Sequence, residues 1–216
     1  FADALVVPAR LLHVLPDAAD LRAAALLEPA AVAAAAVLAS SPRPGDRVAL
    51  VGGGTLGLLA VQLLAASSPR ELTVVDPRIQ RAELALDMGA DQARTPDETA
   101  GLRGRFDLVV ETAGASGTAQ DACLLARRGG RVVLAGMYEP GAQGIDPIHL
   151  AVSQLAVRSV FGAPSSAWVH AVRMLEAGVL DPASLITHEL PLARFDEAIA
   201  LVGSGRPEVG KVLLVP

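Results

Sequence analysis

The chain has 216 residues, 52% of them hydrophobic, and carries 18 Lys and Arg against 23 Asp and Glu for a net charge of −5. That length holds one well-filled core, or one domain and part of another, and no uncharged apolar run reaches the length of a membrane span. The negative balance argues against a nucleic-acid or anionic-membrane surface, and the single cysteine, Cys123, excludes an internal disulfide and a cysteine zinc cluster.

In chain order, Phe1 to Val7 is rich in strand formers and Pro8 ends it. Pro16 to Asp20 is a turn, and Leu21–Leu27 and Val32–Ser40 read as alanine-rich helices, with Pro29 breaking the pattern or starting the second helix. Ser41-Pro42-Arg43-Pro44-Gly45-Asp46 is the strongest punctuation in the chain and the expected domain boundary. From Arg47 strand and helix alternate, which predicts a parallel sheet covered on both faces. Strands are expected near 47–51, 71–75, 91–94, 106–110, 131–135 and 156–161, and helices near 55–66, 78–88, 116–127 and 166–177. The 96–104 connection is polar and broken. Thr187–Leu192 reads as a strand, Arg194–Val202 as a helix and Lys211–Val215 as a closing strand. This tail leaves the α/β repeat and is expected to pack elsewhere, against residues 1–40. Cys123 reads as a small hydrophobe on a helix. No signal peptide is evident, which fits a cytoplasmic protein. The chain begins with Phe1 rather than Met, so a fragment of a longer protein is expected.

The chemistry gathers at Val48–Val61. Four apolar residues, Val48 to Val51, make a short strand, a glycine turn follows, and Leu58 to Leu64 continue with helical spacing. The spacing Gly52-x-Gly54-x-x-Gly57 fits the dinucleotide-binding fingerprint. Gly52 permits the tight turn, Gly54 lets backbone approach a pyrophosphate, and Gly57 lets the helix lie close on the strand. Free N–H groups at the helix start, among them those of Thr55 and Leu56, would hold the phosphates. The next strand ends in Asp76, about 20 residues past Gly57, where the fold places the carboxylate that binds the adenosine ribose. Six strands with this turn on the first predict the order 3-2-1-4-5-6.

Together these segments resemble the zinc-type medium-chain dehydrogenase/reductase family, the alcohol, polyol and threonine dehydrogenases. The resemblance rests on Phe1-Ala2-Asp3, Leu27-Glu28-Pro29, Arg43 to Val48, Gly52 to Gly57, Val74-Val75-Asp76 and Asp87 to Asp91. Phe106 to Gly114, Gly129 to Val133 and Gly210-Lys211-Val212 complete it. It implies an α/β protein with a doubly wound, six-stranded parallel Rossmann sheet over 41–182. Remnants of a second, mainly β catalytic domain stand at both ends, over 1–40 and 183–216. It also exposes an absence, since the family's N-terminal segment with the zinc-ligating cysteines and histidine has no counterpart here.

The resemblance implies several residue roles. Glu28 matches an acid at the zinc site of the polyol-type members; the alternative is a helix-start acid suited to the dipole. One carboxylate cannot make a tetrahedral site, so no tight zinc is expected in this chain. Asp76 favours NAD over NADP, because a carboxylate repels a 2′-phosphate. Arg81, and Arg78 beside it, would reach the adenosine or lie on a solvated helix face, and Arg78 leaves NADP tolerance open. Thr112, Ala113 and Gly114 would line the adenine and ribose side. Backbone groups of Ala135, Gly136 and Met137, and of Ser159, Val160 and Phe161, would hold the nicotinamide carboxamide. Lys211, the one lysine, would reach the pyrophosphate or is surface charge. His13, His149, His170 and His188 show no metal-ligand spacing.

The reading is therefore an NAD-dependent oxidoreductase of the zinc alcohol/polyol type, represented by its coenzyme-binding part and inactive as it stands. It acts on a small alcohol or carbonyl compound and forms a homodimer through the sixth strand. The rivals are a non-catalytic nucleotide-binding module and a zinc-free quinone-reductase-like member. A methyltransferase also uses a glycine turn and an acid, but Gly57 and the segments after Gly129 argue against it.

Overall fold

The computed structural model of the chain describes residues 4–206 and 208–216. Six parallel strands form the main sheet: β1 (Arg47–Val51), β2 (Glu71–Val75), β3 (Gln92–Arg94), β4 (Phe106–Glu111), β5 (Ala126–Leu134) and β6 (Ala156–Ser159). Their order is β3-β2-β1-β4-β5-β6, as the sequence predicts. A separate two-stranded parallel sheet pairs β7 (Ile186–Pro191) with β8 (Lys211–Val215). The helices are α1 (Leu21–Ala24), α2 (Leu27–Ser40), α3 (Thr55–Ala65), α4 (Ile79–Asp87), α5 (Thr118–Leu125), α6 (Pro147–Ser153), α7 (Ser165–Glu176) and α8 (Phe195–Gly203).

Strand alternation divides the core between the two faces of the sheet. Val48 and Leu50 of β1, with Leu108 and Val110 of β4, join α2, α3 and α7 on one side. Ala49, Val51 and Val109 join Cys123 and Val132 on the other. Both faces are thus covered, which a parallel sheet requires because its strands are apolar throughout. Cys123 is fully buried, and burial pushes its thiol up to about 11. It is a core residue.

Helix α2 packs against α3 and α7. Its alanines are buried nearly all round, which explains a stretch without a polar face. The two helices divide at Ala25 and Leu26 and the second starts at Leu27, so Glu28 and Pro29 lie inside its first turn. Of the two readings of Pro29, the one that puts it at the start of the second helix is nearer. A proline costs little there, since first-turn N–H groups have no acceptor within the helix. At the other end, Arg131 of β5 donates to the carbonyls of Ser40 and Ser41, and Arg158 of β6 donates to that of Ala39 at 3.3 Å. Two cations from the sheet therefore cap the negative end of α2.

Other expectations need correction. No strand forms over residues 4–7, and Phe1–Asp3 lie outside the described residues. Val6 is 98% exposed, and a lone strand without a partner leaves its backbone groups to water. Strand β5 begins at Ala126, five residues before the expected 131, through an irregularity opposite Phe106. Strand β6 ends at Ser159 and not at 161, although the Val160 N–H still donates to the Leu134 carbonyl at 2.9 Å. Helix α6 has no counterpart in the sequence reading. Its signals were the Asp146 cap, which accepts from the Ile148 N–H at 2.8 Å, and Pro147 at the first helical position. The polar 96–104 stretch folds as a 3-10 helix, Pro96–Leu102, with a capping box between Thr95 and Glu98.

The C-terminal segment is tied to the rest of the chain. The Gln62 side chain exchanges hydrogen bonds with the backbone of Asp181, and Arg22 pairs with Glu189 of β7. Among the described residues no helix is long and apolar enough to cross a membrane.

Candidate functional site

The site lies at the carboxyl edge of the sheet, where the order reverses between β1 and β4. Gly52 leaves β1 with a φ of +107°, and its N–H still bonds the Val75 carbonyl at 2.8 Å. A side chain cannot follow it there: a Cβ would stand 2.8 Å from the Ala113 nitrogen. A Cβ on Gly57 would lie 1.8 Å from the Gly52 carbonyl oxygen, so α3 rests on the turn backbone to backbone. Gly54 is the opposite case, because a Cβ there would meet nothing within 4 Å. Gly54 caps α3, and Leu58 is the first residue whose N–H returns to it. The N–H groups of Thr55, Leu56 and Gly57 precede that first helical bond, and the space before Gly54 is open. This is a cradle shaped for an anionic group.

Asp76 ends β2 and is only 3% exposed. One carboxylate oxygen accepts from the Gly53 N–H at 2.8 Å, and the other accepts from the Arg78 N–H at 2.8 Å and its Nε at 3.3 Å. Asp76 therefore braces the glycine turn as well as facing the cleft. The cleft, of about 540 Å³, is bounded by Gly54, Asp76, Arg78, Arg81, Arg103 and Thr112. Arg81 also borders a neighbouring cavity of about 270 Å³ shared with Leu58, Thr187 and Gly210. Burial lowers the affinity of Arg81 for its proton and the Arg78 charge adds to this, while Asp76 opposes both. The guanidinium stays charged, because its ordinary value is so high.

Thr112 closes the turn from the β4 side, its hydroxyl donating to the carbonyls of Val51 at 3.1 Å and Gly52 at 3.0 Å. Ala113 lines the cleft. Gly114 and Gly136 are held by mutual contact: a Cβ on Gly136 would lie 2.2 Å from the Gly114 nitrogen. Ala135 and Gly136 donate to the Glu111 carbonyl at 2.8 and 3.2 Å, and Met137 is 72% exposed. Ser159, Val160 and the exposed Phe161 stand beside them, since β5 and β6 pair Leu134 with Ser159. Two predicted residues stand apart from this group. Lys211 opens β8 opposite Ile186 and borders neither cavity, although its neighbour Gly210 does. Glu28 is exposed in the first turn of α2. Among the described residues no three His, Cys, Asp or Glu side chains converge as metal ligands.

Sequence reasoning missed Glu111, which is fully buried at the end of β4. One oxygen accepts from the N–H groups of Ala113 and Gly114 at 2.9 and 2.7 Å and from the Thr118 hydroxyl at 2.8 Å; the other accepts from the Tyr138 hydroxyl. The available signal was the pattern already used for Asp76, an apolar strand ending in an acid.

A parallel sheet in this order, with a glycine turn at the switch point and an acid closing the second strand, defines a doubly wound domain of the Rossmann class. Residues 55–177 match the zinc-binding dehydrogenase family model, and the chain belongs to that family. It is 30% identical to an L-threonine 3-dehydrogenase of Bacillus velezensis, covering 100% of this chain and 64% of that protein. Among solved structures, it is similar to a short chain alcohol dehydrogenase from Escherichia coli complexed with NADH, with a TM-score of 0.89 and 26% identity over 97% of this chain and 64% of the other. A structure from Sinorhizobium meliloti bound to NADP aligns with a TM-score of 0.83 and 26% identity over 94% of this chain and 61% of the other. The chain thus spans less than two thirds of the length of these relatives.

Proposed function

We propose that this chain is the coenzyme-binding part of an NAD-dependent oxidoreductase of the alcohol/polyol dehydrogenase type, acting with a small alcohol or carbonyl substrate. One observation carries the reading: the open space before Gly54, framed by the first N–H groups of α3, lies in the same cleft as Asp76. The backbone of Thr55 to Gly57 would hold the pyrophosphate, Asp76 the adenosine ribose, and Arg81 the flank of the adenosine. Thr112, Ala113 and Gly114 after β4 would line the adenine and ribose side, and the loops after β5 and β6, with Ala135–Met137 and Ser159–Phe161, would carry the nicotinamide side. When bound, the nicotinamide accepts or returns a hydride. Glu28 alone cannot hold a tetrahedral zinc, and among the described residues it belongs to no group of three or more His, Cys, Asp or Glu side chains that could hold a metal, so the proposal for these residues is limited to the coenzyme.

NAD is favoured over NADP because a 2′-phosphate would meet the Asp76 carboxylate. Arg78, paired with that carboxylate, and Arg103 in the same cleft moderate the preference without reversing it. Calorimetric titration with NADH and NADPH tests this. Tighter NADH binding is expected, with a gap that Asp76→Ala narrows by about 1–3 kcal/mol, the scale of a charge-assisted hydrogen bond. Equal affinities in the unaltered chain would remove Asp76 from the role.

The reading extends to a homodimer formed through β6. That strand ends the sheet, and Phe161, at 87% exposed, stands just beyond it with Ile148 and Val152 of α6 exposed nearby in sequence. An uncovered edge strand invites pairing, and two copies related by a two-fold axis satisfy it with one self-complementary contact. A cytoplasmic setting suits the lone buried thiol of Cys123.

A further inference from the structure

The loops after β4 and β5 meet over a buried carboxylate that nothing above uses in binding. From this we infer that Glu111 and Tyr138 are a positioning pair, locking the two loops together and thereby shaping the half of the cleft that receives the second nucleotide of the coenzyme. The inference rests on the coenzyme reading and says which residues hold its far half in place.

Glu111 spends one oxygen on each loop. The first gathers Ala113, Gly114 and Thr118 from the β4 loop, and the second takes the hydroxyl of Tyr138 from the β5 loop. A buried carboxylate is tolerated because every donor it needs is supplied, and it is intolerant of losing one. The loops touch at this point without intervening side chains. A Cβ on Gly136 would lie 2.6 Å from a Glu111 carboxylate oxygen, and one on Gly114 would lie 2.4 Å from the Met137 carbonyl oxygen. Beyond the contact the same loops wall a cavity of about 550 Å³, bordered by Ala113, Ser116, Met137 and Glu139. Burial, and then the bond to Glu111, raise the Tyr138 phenol above its ordinary range, so it remains a donor at working pH.

The location gives the pair its specific effect. A doubly wound sheet takes one mononucleotide on each side of its switch point. Asp76 and Arg81 lie on the β2 side, whereas Tyr138 lies past β5, on the other. Removing the Tyr138 hydroxyl leaves the Ala113 and Gly114 amides on the first Glu111 oxygen in place. It should therefore loosen the β5 loop and spare the adenosine side.

The test is calorimetry of the full chain with NADH and with ADP, which lacks the second nucleoside, alongside thermal melting. In Tyr138→Phe, NADH affinity should fall about tenfold, while ADP affinity changes less than twofold. Glu111→Gln keeps an acceptor for the Ala113 and Gly114 amides, so its NADH loss should be smaller, with the same sparing of ADP. Combined with Tyr138→Phe it should add little. A folded Tyr138→Phe that binds NADH as before, or loses NADH and ADP equally, would overturn the pairing. If that variant does not fold, Glu111→Gln decides alone, and equal losses of the two ligands again overturn it. An unaltered chain that binds neither ligand would overturn the coenzyme reading itself, and this inference with it.

Discussion

Adding side chains at two glycines only three residues apart should have opposite consequences, and the pair of variants tests the site more sharply than either alone. In Gly57→Ala the new methyl would lie 1.8 Å from the Gly52 carbonyl oxygen and 3.0 Å from a Leu50 methyl. The first neighbour is backbone, fixed by its place between β1 and Thr112, so no rotamer change relieves the overlap. Helix α3 must lift off the sheet, disturbing the packing of Leu58, Leu59 and Val61, all in the main core. Overpacking of this kind costs about 3 kcal/mol or more. For a chain of this size that lowers the melting temperature by about 6–12 °C.

Gly54→Val builds into open space with φ at −78°, a value any residue adopts. Losing a glycine at the helix cap costs up to about 1 kcal/mol, and the stiffer unfolded chain returns a similar amount. Stability should therefore stay within about 1 kcal/mol of the original. The side chain now fills the space before the helix N-terminus, and NADH affinity should fall at least about a hundredfold, or roughly 2.7 kcal/mol. Thermal melting and calorimetry read the two effects separately. A Gly57→Ala chain as stable as the original would refute the turn geometry. A folded Gly54→Val with unchanged NADH affinity would show that the ligand does not sit at this turn.

Two further predictions concern the sheet edge and the base of the sheet. The Val160 N–H points to β5, so by strand alternation that of Val157 points outward. Val157→Pro should leave the fold intact and split a β6-paired dimer in light scattering over a concentration series, whereas a dimer indifferent to the change places the interface elsewhere. Asp107 accepts from the Arg47 N–H at 2.8 Å and from Arg127. Burial raises its pKa, but these bonds and the two arginine charges outweigh it, and the net shift is downward. A depressed carboxylate stabilises the fold above its unfolded pKa and loses that contribution as pH falls through the folded one. Asp107→Asn should therefore cost about 1–2 kcal/mol at neutral pH, with the deficit shrinking below about pH 4. A deficit independent of pH would assign the loss to packing instead.

The sequence by itself determined the parts of this protein that depend on local pattern. Apolar strands of four to six residues, a glycine turn opening a helix, and an acid at the end of the next strand are readable because each is set by neighbours in the chain. The strand order followed from them, since right-handed crossovers leave few ways to wind such a sheet. Tertiary structure decided whatever depends on a distant partner. Phe1–Val7 has the composition of a strand, yet residues 4–7 form none, because a strand exists only where another chain segment completes its hydrogen bonds. The helix start that Pro29 marks is legible, since α2 begins at Leu27 with the proline in its first turn, but the two arginines that cap its far end come from β5 and β6, and no local pattern shows that. Glu111 and Asp76 look alike as acids closing apolar strands. Only the fold separates them: Asp76 braces the turn from the rim of the cleft, whereas Glu111 is sealed between two loops. The loop that carries Tyr138 lies 27 residues further along the chain, and no local pattern brings the two together.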